Sequence, residues 1–263
     1  MDLALSGDLL ARGCIHVTMD GRLVSVTLNR PDARNAQTPA TWQALAAIGA
    51  ALQEAPVDIV VIRGAGTAFS AGLDRRMFTP EGVPGEESLA SLAQRSDSEL
   101  AGRIAEFQEA FLWQRRIPAL TVAAVHGPAI GAGFQLALAC DVLIATPAAT
   151  FAMRETSYGL VPDLAGTQPL VRSVGYARAL ELSATGRMVD AAEGLGLGFV
   201  TRIVQDLDEG IADLAAPVTA APAGAVGALK SLLQGAEQRP RDEQAAAERA
   251  AQVARLRTLV GGA

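Results

Sequence analysis

The stretch from Ala123 to Asp141, AAVHGPAIGAGFQLALACD, holds the residue types that could do chemistry, and a lone glutamate, Glu155, stands twenty positions beyond its Gln135. An apolar strand, Leu120 to Val125, meets a bend at Pro128; Gly131, Ala132 and Gly133 follow, and a helix-like run opens at Phe134. Small residues let ligand atoms come close to the backbone, and a helix start presents N–H groups that its own turn leaves unpaired. The combination suits an anion, or an oxyanion that develops during a reaction, better than it suits a turn in the core. The chemistry then depends on the groups set beside that turn.

Other chemistries find less support. Gly64-Ala65-Gly66 follows an apolar run and invites a dinucleotide reading, but Phe69 stands at the third glycine position and no helical pattern begins there. Ser70 in FSAG nearly mimics a nucleophile elbow, with Ala68 where that motif has its first glycine. The two histidines, His16 and His126, lie in a hairpin strand and at a strand end, without ligand spacing, and read as structural. Cys14 and Cys140 form neither a disulfide framework nor a metal pattern and read as reduced thiols. No metal site is expected.

Elements that could position the glycine turns are legible around them. His16 to Arg30 alternates about Asp20-Gly21, a β-hairpin; Thr38-Pro39 caps a helix carrying Trp42, Leu45, Ile48 and Leu52. Asp58 to Arg63 is a continuous apolar run, the signature of a strand covered on both faces. A glycine-rich loop spans 64–74, a polar segment at 77–95 reads as a lid, and a helix covers 97–116. Strand 120–125, a short helix from about 132, strand 141–146, a helix at 167–183 and strand 198–204 continue the alternation. Ala-rich helical segments follow at 208–221, 223–235 and 240–259, so the chain reads as an α/β core over 1–205 and a helical module over 206–263. With 263 residues, half of them apolar, the chain can bury a large core, and a net charge of −6 argues against nucleic acid or an anionic membrane as partner. MDLALSGDLLARG lacks the basic start and long apolar run of a secretory signal, which gives a cytoplasmic expectation.

Five motifs in order, NRPDARNA (29–36), GAGTAFSAGLD (64–74), AAVHGPAIGAGFQLALACD (123–141), GLVPDLAGTQ (159–168) and TGRMVDAAE (185–193), resemble those of the crotonase superfamily, the enoyl-CoA hydratase/isomerase family. The resemblance runs over about residues 14–235. It implies an α/β fold, a crotonase-like spiral of ββα units with C-terminal helices that build homotrimers or hexamers. It also implies an oxyanion hole from the backbone N–H groups of Leu73 and Ala132, holding the thioester oxygen of an acyl-CoA. The Ala71 carbonyl matches the contact to adenine, and Arg34, Arg76 and Lys230 match basic positions that touch CoA phosphates, Lys230 in the tail serving a neighbouring subunit. Coenzyme A enters as part of the substrate, and no separate cofactor is expected. The chain stops at RLRTLVGGA, where relatives commonly finish with a phenylalanine-rich end, a departure in a segment that makes CoA or subunit contacts in the family.

Hydratases of the family carry glutamates at two positions that here are Gln135 and Glu155. An amide can orient water or substrate but cannot donate and regain a proton near neutral pH. A double-bond shift needs only one carboxylate, removing a proton at one carbon and returning it at another. Asp163 lies eight residues beyond Glu155, where several isomerases of the superfamily have aspartate, so it joins Glu155 and Gln135 as a catalytic candidate. The reading is therefore an enzyme of unsaturated acyl-CoA catabolism, isomerisation favoured over hydration. The alternatives are another crotonase chemistry (hydratase, thioester hydrolase, decarboxylase or C–C lyase) and a non-catalytic acyl-CoA-binding protein.

Overall fold

Nine strands, numbered in chain order, form two sheets in the computed structural model, which describes residue 3 and residues 5–261. Part of the N-terminal reading, at Met1, Asp2 and Ala4, and the final Gly262 and Ala263 lie outside the described residues. The expected hairpin is β1 (Ile15–Asp20) against β2 (Leu23–Leu28), antiparallel across Gly21, whose φ of 56° suits glycine. β3 (Ile59–Gly64), β4 (Leu120–Val125), β6 (Val142–Ala145) and β9 (Arg202–Ile203) then add in parallel, giving the order β1-β2-β3-β4-β6-β9. A smaller sheet, β5-β7-β8, combines β5 (Pro128–Ile130), β7 (Thr150–Ala152) and β8 (Val189–Asp190).

The unbroken apolar run of β3 has a direct cause. Val60 and Ile62 point into the main core with Trp42, Leu45 and Ile48, while Ile59 and Val61 point the other way onto Leu207, Ile211 and Ala215. β4 divides in the same manner, Ala123 and Val125 to one core and Val122 and Ala124 to the other. Burying one such aliphatic side chain contributes roughly 1.5–3 kcal/mol, so both layers hold the strands. Helix Leu207–Ala220 thus packs on the sheet as its second cover. The main-core cover is helix Pro39–Leu52, capped by Thr38 and Thr41 and packed on helix Asp97–Arg116. A β-carbon on Gly49 would lie 2.2 Å from Trp113 Cγ, so glycine sets how closely those helices approach.

Several elements differ from expectation. The bend at Pro128 is β5, and the short helix that follows begins at Ala132, as its expected start at about 132 has it. The expected helix 167–183 is two, Thr167–Val174 and Tyr176–Thr185, because Gly175 takes a φ of 78° that no helix accommodates. Strand 198–204 shrinks to Arg202–Ile203, since helix Ala191–Leu197 ends at a left-handed Gly198 and Phe199 and Val200 fill the core. Among the described residues no single helix is long and apolar enough to cross a membrane.

Lys230, on helix Ala225–Ala236, fastens the tail to the core. Its ammonium donates to the Gln114 and Ala119 carbonyls at 2.7 and 2.9 Å and pairs with Asp141 at 2.6 Å. Lys230→Met leaves the partly buried Asp141 without its cation and two carbonyls without their donor, and the expected loss of stability is about 3 kcal/mol, the lower end for a broken buried pair. The measurement is a urea midpoint at unchanged slope; a loss below about 1 kcal/mol would mean that the pair behaves like an exposed one.

Candidate active site

β3 and β4 are adjacent and parallel, so the segments leaving their C-terminal ends emerge side by side. These are the loop 64–74 and the turn through β5 into helix Ala132–Ala139. They are stitched together by Ser70 N–H to the Pro128 carbonyl (3.0 Å) and Ile130 N–H to the Ser70 carbonyl (2.9 Å). Gly72, at φ 84°, passes so near the second turn that a β-carbon there would meet the Ile130 carbonyl oxygen at 2.4 Å and the Ala132 nitrogen at 3.4 Å. Neither the Leu73 nor the Ala132 N–H donates to any group among the described residues. Two free donors therefore sit on neighbouring turns.

Polar residues that the sequence reading did not single out hold this geometry. Asn35, buried and in a left-handed conformation, accepts from Arg30 N–H and donates to the Ala65 and Ala68 carbonyls. Gln37, with no exposed surface, accepts from Trp42 Nε1 and donates to Ser70 Oγ. Ser70 Oγ in turn donates to the Asn35 carbonyl and accepts from Gly72 N–H, so it is a structural hydroxyl. Asn35 lay within a quoted motif, but nothing in residue type or spacing separates such a brace from an ordinary loop amide.

The acids stand against the second turn. Glu155 opens a 3-10 turn, Glu155–Tyr158, and its Oε1 lies 3.2 Å from where a β-carbon on Gly131 would be. Gln135 Nε2 donates to that Oε1 at 2.7 Å, while Glu155 Oε2 is buried without a hydrogen-bond partner. Burial is the main cause that raises the Glu155 pKa above the usual carboxylate range; the charge of Asp163 adds to it, and the Gln135 hydrogen bond opposes it. Asp163 is raised too, again by burial. Raised, desolvated carboxyls are suited to general base and acid work near neutral pH.

A cavity of about 1040 Å³ joins these parts. Its lining includes eight of the nine residues named from the sequence: Arg34, Ala71, Leu73, Arg76, Ala132, Gln135, Glu155 and Asp163. Lys230 is the exception: it is 8% exposed, bonded to the core, and outside this lining. One stretch of the wall is charged, with Arg34, Arg75 and Arg76 against Asp32 and Asp74. Hydrogen bonds from Arg76, then Arg30, hold the Asp74 pKa down to about 2. Another part of the wall is apolar, with Trp42, Leu92, Leu100, Ile104 and Phe107. The segment expected as a lid supplies part of that wall and is tethered by Glu86, whose Oε1 accepts from Ala40 N–H at 3.0 Å.

The layered fold, with two unpaired N–H groups and a desolvated carboxyl beside them, defines an α/β protein whose site can receive an anion or a polarised oxygen. Residues 18–258 match the Enoyl-CoA hydratase/isomerase family. The chain is 35% identical over 191 residues to the probable enoyl-CoA hydratase of Mycobacterium bovis, covering 72% of this chain and 68% of that one. A Thermobifida fusca YX protein provisionally described as an enoyl-CoA hydratase and solved with CoA is 45% identical, with a TM-score of 0.91 and 98% of each chain covered. The same protein solved with acetoacetyl-CoA superposes with a TM-score of 0.90 over 96% of this chain and 98% of that one. The chain belongs to the enoyl-CoA hydratase/isomerase family and has the crotonase fold.

Proposed function

We propose that the protein moves a double bond within an unsaturated acyl-CoA thioester, in preference to hydrating it. The observation that carries this reading is Glu155, whose partner across the hydrogen bond is the amide of Gln135 and not a second carboxyl. The CoA-bound relative supports the ligand class. In this reading the thioester oxygen lies between the Leu73 and Ala132 N–H groups. Glu155 removes a proton from C2 of a 3-enoyl group, the charge gathers on the oxygen held by the two donors, and the carboxyl returns the proton at C4. The first double bond is lost and the conjugated one forms, with no water consumed. Asp163 is the second acid of the site. The Ala71 carbonyl serves the adenine, and Arg34 and Arg76 serve CoA phosphates. Exposed Leu229, Leu233, Leu256 and Leu259 on the last two helices support self-association, in this reading as a homotrimer or hexamer.

The test incubates purified protein with 3-enoyl-, 2-enoyl- and dienoyl-CoA and follows both double-bond position and water addition. Isomerisation faster than hydration is expected; fast hydration of 2-enoyl-CoA with no isomerisation would overturn the preference. Binding without turnover, or release of free CoA, would point to a carrier or a hydrolase. A pH profile adds a second check. Turnover requires ionised Glu155, so kcat/KM should rise with pH along a limb lying above the carboxylate's ordinary 4.5. Asp163→Asn removes a negative charge that opposes that ionisation, and the limb of the residual activity should move to lower pH.

A further inference from the structure

Gln135 is 1% exposed, and both ends of its amide are committed. Oε1 accepts from two backbone donors, Leu164 N–H at 3.0 Å and Gly166 N–H at 3.2 Å, while Nε2 donates to Glu155 Oε1 at 2.7 Å. The amide cannot be reversed, because that would set its oxygen against a carboxylate oxygen and its NH2 against two N–H groups. The two backbone donors flank Ala165, which holds a left-handed φ of 61° unusual for a residue with a side chain. Asp163 opens this turn, and its carbonyl accepts from Gln108 Nε2 at 2.7 Å. Gly166 seats the amide: a β-carbon there would lie 2.6 Å from Gln135 Cγ.

We propose that Gln135 is a positioning residue that joins the two acids, gripping the Asp163 turn through its carbonyl and Glu155 through its NH2, and thereby sets the site for proton transfer by one carboxyl. The inference deepens the proposed function and rests on it for its kinetic part only. Its chemical content is asymmetric. A glutamate at 135 would keep the acceptor half, since a carboxylate oxygen can take both N–H bonds. It would lose the donor half and bring two carboxyls together, which then hold a proton between them. An acid at position 135, hydrogen-bonded to Glu155, is what water addition needs and what a one-base shift does without. The groups that bear on Glu155 are Asp163 from the following turn and, on its own element, the amides of Glu155 and Arg154. Helix Tyr176–Thr185 packs behind the turn through Thr156 Oγ1 to the Ser183 carbonyl; its charged groups are Arg178 and Glu181, the latter ion-paired with Arg187.

The experiment compares the full-length wild type with Gln135→Glu and Gln135→Met, each shown folded by its melting transition. The Glu155 carboxyl is titrated by carbon-13 NMR, its resonance assigned with Glu155→Gln, and exchange of the Leu164 and Gly166 amides is measured. Both variants should move the Glu155 titration to higher pH, by about one unit or more, a tenfold change in ionisation at fixed pH. The two amides should remain protected in Gln135→Glu and exchange at least about tenfold faster in Gln135→Met, which deletes the acceptor. With enoyl-CoA substrates, Gln135→Glu should raise the ratio of hydration to isomerisation about tenfold or more, the lower end of what one acid or base group contributes. An unmoved titration in both variants, or unchanged amide exchange in Gln135→Met, would overturn the clamp. A wild type inert toward every enoyl-CoA would sink the proposed function, and the titration and exchange would still decide the clamp.

Discussion

Glu155→Gln is expected to lower kcat for double-bond transfer about 10²–10⁴-fold, the range typical of general acid–base groups, while acyl-CoA affinity is retained. The amide keeps the shape and can still accept from Gln135 Nε2, so the pocket beside Gly131 stays filled. What disappears is the buried, unpartnered Oε2 that can take a proton. The check is single-turnover kinetics with calorimetric binding of a non-reactive acyl-CoA; turnover within about threefold of wild type would remove Glu155 from the chemistry. Stability should change in the opposite sense. A carboxyl whose folded pKa is raised favours the folded state below its unfolded value and loses that contribution as pH rises through the folded one. The variant should therefore melt above the wild type near neutral pH, and the gap should close as pH falls toward 4.5, the ordinary glutamate value.

Ala132→Pro is expected to lower kcat about 10²–10³-fold, the effect of deleting one oxyanion donor, with the fold intact. Ala132 is the first residue of its helix, where proline's fixed φ is accommodated and no intrahelical bond is lost. Gly131 precedes it at φ 52°, ψ −120°, an extended mirror-image conformation open to glycine and compatible with a following proline. The substitution removes the N–H aimed at the ligand and sets the proline Cδ in the same direction, so acyl-CoA affinity is expected to fall along with kcat. The assay is kcat alongside far-UV circular dichroism and the melting temperature. A folded variant retaining more than about a third of wild-type kcat would show that this N–H holds no developing charge.

The legible part of the molecule was local. Alternation wrote the hairpin β1–β2, the cap at Thr38-Pro39 and the helical spacing of Trp42, Leu45 and Ile48 were readable, and the two glycine turns were recognisable from their composition. The second sheet escaped because β5, β7 and β8 have three, three and two residues, too few for a period to register. The braces Asn35 and Gln37 escaped because their partners lie about 33 positions away in the chain.

Lys230 shows why a basic residue read from the sequence needs its surroundings. Its charge was evident, but whether it met a phosphate or two carbonyls and Asp141 was decided by how helix Ala225–Ala236 lies on β4. Gln135 is the converse case. Chain order made plain that an amide stands twenty residues before Glu155. Only the packed structure placed its oxygen on Leu164 and Gly166 and its nitrogen on Glu155, because hydrogen bonds join groups that folding brings within 3.2 Å of one another, whatever their separation along the chain. Residue type determined that position 135 carries no acid; tertiary contact decided that it carries a clamp.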